Sequence, residues 1–145
     1  MSEQLTQEQI KQTEKANAEW VRAQFQKANA YLASKGIVPD NVAVADSRYM
    51  PPFLAVWKLN SKDKQAFWVV SGDVPTDHIA FSAAPTAREA LRTFSLQWQM
   101  KAQQIIDTGT ADKTQQDFAN LLINRAHSLY DMFNADELWG QSLNA

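Results

Sequence analysis

Between Thr6 and Lys35 the chain carries neither proline nor glycine. Ile10, Glu14, Val21, Phe25, Ala28 and Leu32 recur there at three-, four- and seven-residue spacings that place them on one face of a helix. Trp20 and Tyr31 widen that stripe on one side. Gly36 comes next, at the position of a left-handed C-cap, and Pro39 stands three residues later, so the pattern predicts a long first helix ending there. Its start, about residues 1–8, is expected to fray.

Residues 37–52 show no such regularity. Val42-Ala43-Val44-Ala45 fits a short helical turn or an irregular strand, and Pro51-Pro52 forces an extended entry into the next run. Residues 53–59 then alternate, with Phe53, Ala55, Trp57 and Leu59 on one side and Leu54, Val56 and Lys58 on the other. A polar turn over 60–64 leads to a second aromatic and β-branched run over 65–70, and the two runs together read as a hairpin. Residues 78–83 make a third strand, and the stretch from 71 to 77 becomes the second turn of a three-stranded antiparallel meander.

Pro85, Thr86 and Glu89 announce a helix, with Thr86 as N-cap and Glu89 closing a capping box. Ala87, Leu91, Phe94, Trp98, Ala102 and Ile105 form its stripe until Gly109. Asp112 opens a further helix with Phe118, Leu121, Leu122, Leu129, Met132 and Phe133 on its apolar face, running to about Asn134. A last turn around Glu137 and Trp139 stops at Gly140. No repeat and no loose linker interrupts this order, so residues 1–145 read as a single α+β domain. The expected architecture is a long N-terminal helix, the meander, and two C-terminal amphipathic helices packed on the sheet, with the helices on one side of it.

Composition narrows the function classes. A net charge of −2 with acids and bases interspersed leaves no basic footprint for nucleic acid and no polybasic segment for a membrane surface. The absence of cysteine excludes disulfides, thiol catalysis and Cys-based metal centres. The first 20 residues are polar, and no run approaches the ~20 apolar residues of a membrane span, so a cytoplasmic protein is expected. Five tryptophans imply a well-filled core or an interaction surface.

The densest chemistry lies in Ser71-Gly72-Asp73-Val74-Pro75-Thr76-Asp77-His78. Asp73, Asp77 and His78 are the candidate catalytic residues, a carboxylate orienting the imidazole for acid–base work or for a metal. The structural reading needs less: Gly72-Asp73 suits a turn, Pro75 fixes φ, and Thr76 or Asp77 can bond backbone N–H groups. His127 falls nearly opposite Phe118, so a two-histidine metal site is not expected, and no cofactor is implied. Three charges look misplaced. Arg125 falls within an apolar stripe, Arg88 in a helix's first turn against the dipole, and Glu14 in the stripe of the first helix. They suggest a partly buried network in which Arg88 or Arg125 pairs Glu14, Asp73 or Asp77. The other reading is an anion-binding pocket, with Arg48 as a third cation and aromatic walls from Trp68 or Trp98. Leu96 and Met100 put apolar residues on the second face of their helix, which is either sandwiched within the fold or a homodimer contact.

Trp57-Lys58, the run Phe67-Trp68-Val69-Val70 leading into residues 71–78 and Ile79, and Ala87-Arg88-Glu89-Ala90-Leu91 through Phe94 to Trp98 resemble a small uncharacterised bacterial family, a domain of unknown function of about this length. The resemblance implies a free-standing single-domain protein. It brings no activity, cofactor, partner or site residue with it. From the residues, the leading function is a non-catalytic domain that binds a partner or assembles with itself. A domain for a small anionic ligand comes second, and an Asp/His acid–base or metal-dependent enzyme third.

Overall fold

The computed structural model describes residues 6–109 and 112–140. Residues 1–5 of the stretch expected to fray lie outside these. Helix α1 (Gln7–Ser34) opens at Thr6, whose hydroxyl accepts the Gln9 N–H at 3.0 Å while the Gln9 side chain accepts the Thr6 N–H at 2.9 Å. Two otherwise orphaned donors are thereby satisfied. The helix closes at Lys35, and Gly36 takes the expected left-handed turn at φ +82°. Every residue from 7 to 19 is exposed, so Ile10 and Glu14 stand in solvent and only the part from Trp20 onward packs.

Five antiparallel strands come next, where the alternation predicts three. They are β1 (Pro39–Val42), β2 (Arg48–Met50), β3 (Leu54–Ser61), β4 (Ala66–Gly72) and β5 (Asp77–Ala80). β1 and β2 share one edge of β3, β1 pairing with residues 59–61 and β2 with 54–56. They are too short for a period-two pattern to emerge, and a single 3-10 turn, Val44–Asp46, separates them. Across that break Ser47 Oγ accepts the Lys58 N–H at 2.9 Å, and the Ala43 N–H donates to Lys58 O at 2.9 Å. The backbone of β3 therefore stays bonded where its neighbour changes.

Helices cover both faces of the sheet, not one. Leu54, Val56, Trp68, Val70 and Ile79 join the core shared with α2 and α3, whereas Ala55, Trp57, Leu59 and Val69 pack with Ala28 and Leu32 of α1. The alternating residues of β3 and β4 are apolar on both sides, and each large apolar side chain buried contributes about 1.5–3 kcal/mol. A one-sided cover would leave Trp57, Leu59 and Val69 in water. Phe53, expected on the Trp57 side, precedes the strand and is 61% exposed.

Helix α2 (Ala87–Asp107) starts with half of the expected capping box. Thr86 Oγ1 accepts the Glu89 N–H at 3.2 Å, but the Glu89 carboxylate lies 3.9 Å from Arg92. Asp112 and Gln115 make the full reciprocal cap of α3 (Lys113–Asn134). The buried residues of α3 are Ala119, Leu122, Ala126 and Leu129, which leaves Phe118 and Leu121 of the expected stripe on an exposed shoulder. Small residues let the α2 and α3 backbones approach, and Ser95 Oγ donates to Ala126 O at 2.7 Å across the seam. Leu96 and Met100 are exposed, Met100 by 63%, because α1 occupies the far face of the sheet and does not sandwich α2. A final turn, α4 (Asp136–Trp139), folds Trp139 back into the core, where its Nε1–H donates to Met132 O at 2.9 Å.

Candidate functional site

Strand β5 forms the free edge of the sheet, with Asp77 opposite Val70 and His78 opposite Val69. Adjacent strand residues point to opposite faces, so this dipeptide reaches towards both helical layers. The Asp77 carboxylate gathers three donors. Its Oδ2 accepts the Trp98 Nε1–H of α2 at 2.8 Å, and its Oδ1 accepts the His78 N–H at 2.8 Å and the Tyr31 hydroxyl of α1 at 3.3 Å. The Tyr31 oxygen also lies 3.0 Å from His78 Nδ1, while Phe67 meets the imidazole edge-on. Tyr31 has one proton to give: with it on Asp77, an Nδ1–H of His78 donates back to the phenolic oxygen. Burial, then the charge of Asp77 and its hydrogen bond, push the Tyr31 phenol up to about 12. The phenol is therefore neutral at physiological pH, a donor and not a nucleophile. Tyr31 stands between the carboxylate and the imidazole, and the group ties α1, β5 and α2 together.

Asp73 is not part of this group. The connection over residues 73–76 carries it to α3, where its carboxylate, 80% exposed, lies 3.8 Å from Arg125. Gly72 makes that path possible. At φ +125° a Cβ there would stand 2.5 Å from Phe53 O and 2.6 Å from Leu54 Cα, and the adjoining Asp73 N–H donates to Phe53 O at 2.8 Å. Arg125 sits beside the buried stripe of α3, where it also donates to Asn124 Oδ1 at 2.7 Å. It lies between two hollows. One, of about 360 Å³, is apolar and lined by Phe53, Leu54, Val74, Leu129, Met132 and Leu138. The other, of about 300 Å³, lies against Pro75, Phe118 and Leu121.

A third cavity, of about 220 Å³, opens at the start of α2 and brings together Arg48, Trp68 and Arg88 of the ligand-binding candidates, with Trp139 and Asp46. Both guanidinium carbons lie close to the Trp139 indole, at 5.9 Å for Arg48 and 5.8 Å for Arg88. Arg88 pairs with neither Glu14 nor Asp73 nor Asp77. Its Nε–H donates to Phe133 O at 2.8 Å and its Nη2 to Asp136 at 2.6 Å, which clamps the corner between α3 and α4. Trp98, at Asp77, and Arg125, on α3, lie elsewhere. Sequence reasoning missed Tyr31 and Trp139: one read as the border of a stripe, the other as the end of a terminal turn.

Among the described residues no group of three His, Cys, Asp or Glu could hold a metal ion, and no helix is long and apolar enough to cross a membrane. The fold and these sites define an α+β domain in which a five-stranded antiparallel sheet lies between one long helix and a helical pair. Residues 14–139 match the family described as Domain of unknown function (DUF4826), and the chain belongs to it. No curated protein and no solved structure matches the chain.

Proposed function

We propose that this is a non-catalytic binding domain that pairs with a second copy of itself through the face around Arg125. One observation carries the reading: Arg125 and Asp73 stand side by side, 3.8 Å apart, among exposed apolar side chains that include Phe53, Phe118, Leu121 and Leu138. A two-fold interface must be self-complementary. A patch with one cation and one anion beside its centre meets that condition, because Arg125 of each copy faces Asp73 of the other. Within one copy the pair is long and exposed, and such pairs contribute about 0–1 kcal/mol. Between two apolar surfaces the same groups set register and specificity, and like charges placed against one another there cost several kcal/mol. The alternative of Asp/His acid–base chemistry draws less support, since both Asp77 oxygens and His78 Nδ1 are engaged by Tyr31, Trp98 and backbone.

Light scattering across a concentration series tests the pairing. The wild-type chain should dimerise, and Arg125→Asp and Asp73→Arg should each weaken the dimer roughly 30-fold or more, as like charges then face one another. An equimolar mixture of the two variants should restore it, since every cross-interface pair is again of opposite sign. A wild-type chain that stays monomeric at high concentration, or a mixture no better than its components, would falsify the proposal.

A further inference from the structure

The cavity at the start of α2 is separate from the Arg125 face and has chemistry of its own. We propose that it binds a small ligand through a phosphate group, either inorganic phosphate or a phosphate monoester. Arg48 comes from β2 and Arg88 from α2, so two guanidinium groups converge from separate elements on a cavity floored by Trp139 and Trp68. The head of Arg88 is already fixed. Its Nε and Nη2 are held by Phe133 O and Asp136, while Nη1 has no protein acceptor among the described residues. A guanidinium clamped along one side presents its remaining N–H groups in a set direction, which lowers the cost of ordering on binding.

Arg88 also occupies the first turn of α2, where the helix end repels a cation. An anion in the cavity relieves that repulsion and meets both guanidinium groups at once. Thr86 and Ala87 of the same turn line the cavity, so helix and side chains present one sign of charge from different directions. That arrangement suits the tetrahedral oxygens of a phosphate better than a flat carboxylate. The opposing charges are Asp136, which holds Arg88 Nη2 at 2.6 Å, and Asp46, which lines the cavity and pairs with Lys58 Nζ at 3.4 Å. A cavity of about 220 Å³ limits the organic part to metabolite size.

Calorimetric titration of the full chain, at constant ionic strength, with inorganic phosphate and separately with glycerol 3-phosphate tests the site. Saturable binding of at least one is expected, and tighter binding of the ester would show that the cavity also holds an organic body. Arg48→Gln and Arg88→Lys should each weaken binding tenfold or more, with folding checked by thermal unfolding. Asp46→Asn should tighten it several-fold, a gain that loss of structure cannot mimic. No saturable binding of either probe, or binding that none of the three substitutions moves, overturns the proposal.

Discussion

The Nε1–H of Trp98, in the middle of α2, donates to Asp77 Oδ2 at 2.8 Å, although Trp98 is otherwise sealed in the core. A buried indole N–H without an acceptor costs about 1–3 kcal/mol. Asp77→Ala removes that acceptor and the partner of Tyr31 in one step. The expected loss is therefore about 2 kcal/mol or more in urea unfolding, or roughly 4–8 °C in Tm for a domain of this size. Asp73→Ala, which removes only an exposed carboxylate, should stay within about 0.5 kcal/mol of the wild type. Equal effects of the two substitutions would show that Asp77 does not lock the fold.

Tyr31 gives the same group a pH signature. Its folded pKa of about 12 lies above the ordinary value of 10.0, so the folded chain holds the phenolic proton more tightly than the unfolded chain. The contribution is complete below pH 10 and disappears as pH rises towards 12, where the ionised oxygen would face the Asp77 carboxylate. Stability should fall across that window. Tyr31→Phe should flatten the alkaline slope while lowering stability at neutral pH. An unchanged slope in Tyr31→Phe would assign the alkaline loss to other groups.

Gly72→Ala tests the corner that sends Asp73 to α3. The added Cβ would press on the backbone at Phe53 O and Leu54 Cα, atoms held in register by the β3–β4 pairing Leu54↔Gly72, and φ +125° disfavours any other residue. A cost of about 2 kcal/mol or more is expected in chemical denaturation. The variant should also disturb the Asp73–Arg125 alignment, which the proposed pairing would register as weaker self-association among the molecules that fold. Alanine at Gly36, which has open space around it, should cost less than at Gly72.

These sites differ in how far residues alone disclose them. Helix ends are readable because capping is local: Thr86, Asp112, Gly36 and Gly109 each act within a turn of their own position, whereas the Thr6 cap lies in a stretch that reads as frayed. Facial assignment is harder. In β3 both alternating sets are apolar, so periodicity gives the strand but cannot say that α1 covers the second face. In α3 the large residues Phe118 and Leu121 draw the stripe towards themselves, whereas the helix buries Ala119 and Ala126 because close approach to α2 requires small side chains. That rotation also explains Arg125, which reads as a charge in the core and stands at its edge. Asp77 and Asp73 are alike in sequence context. What separates them is Tyr31, 46 residues earlier than Asp77, and no local pattern records a contact at that distance.

The α3 assignment itself can be tested by a pair of opposite substitutions. Ala126 lies fully buried at the seam, and its carbonyl accepts the Ser95 hydroxyl. Leucine there has no room and must drive α2 from α3, costing about 1–3 kcal/mol or more through overpacking. Leu121 is 38% exposed on the shoulder, so Leu121→Ser should change unfolding free energy by less than about 1 kcal/mol. On a helix whose stripe ran through Phe118 and Leu121, the order would reverse: serine at 121 would be the damaging change and leucine at 126 a mild one. In light scattering, Leu121→Ser should nevertheless weaken self-association, because it removes apolar surface beside Arg125. A substitution that spares the fold and loosens the proposed dimer would separate the contacts that hold the fold together from those assigned to self-association.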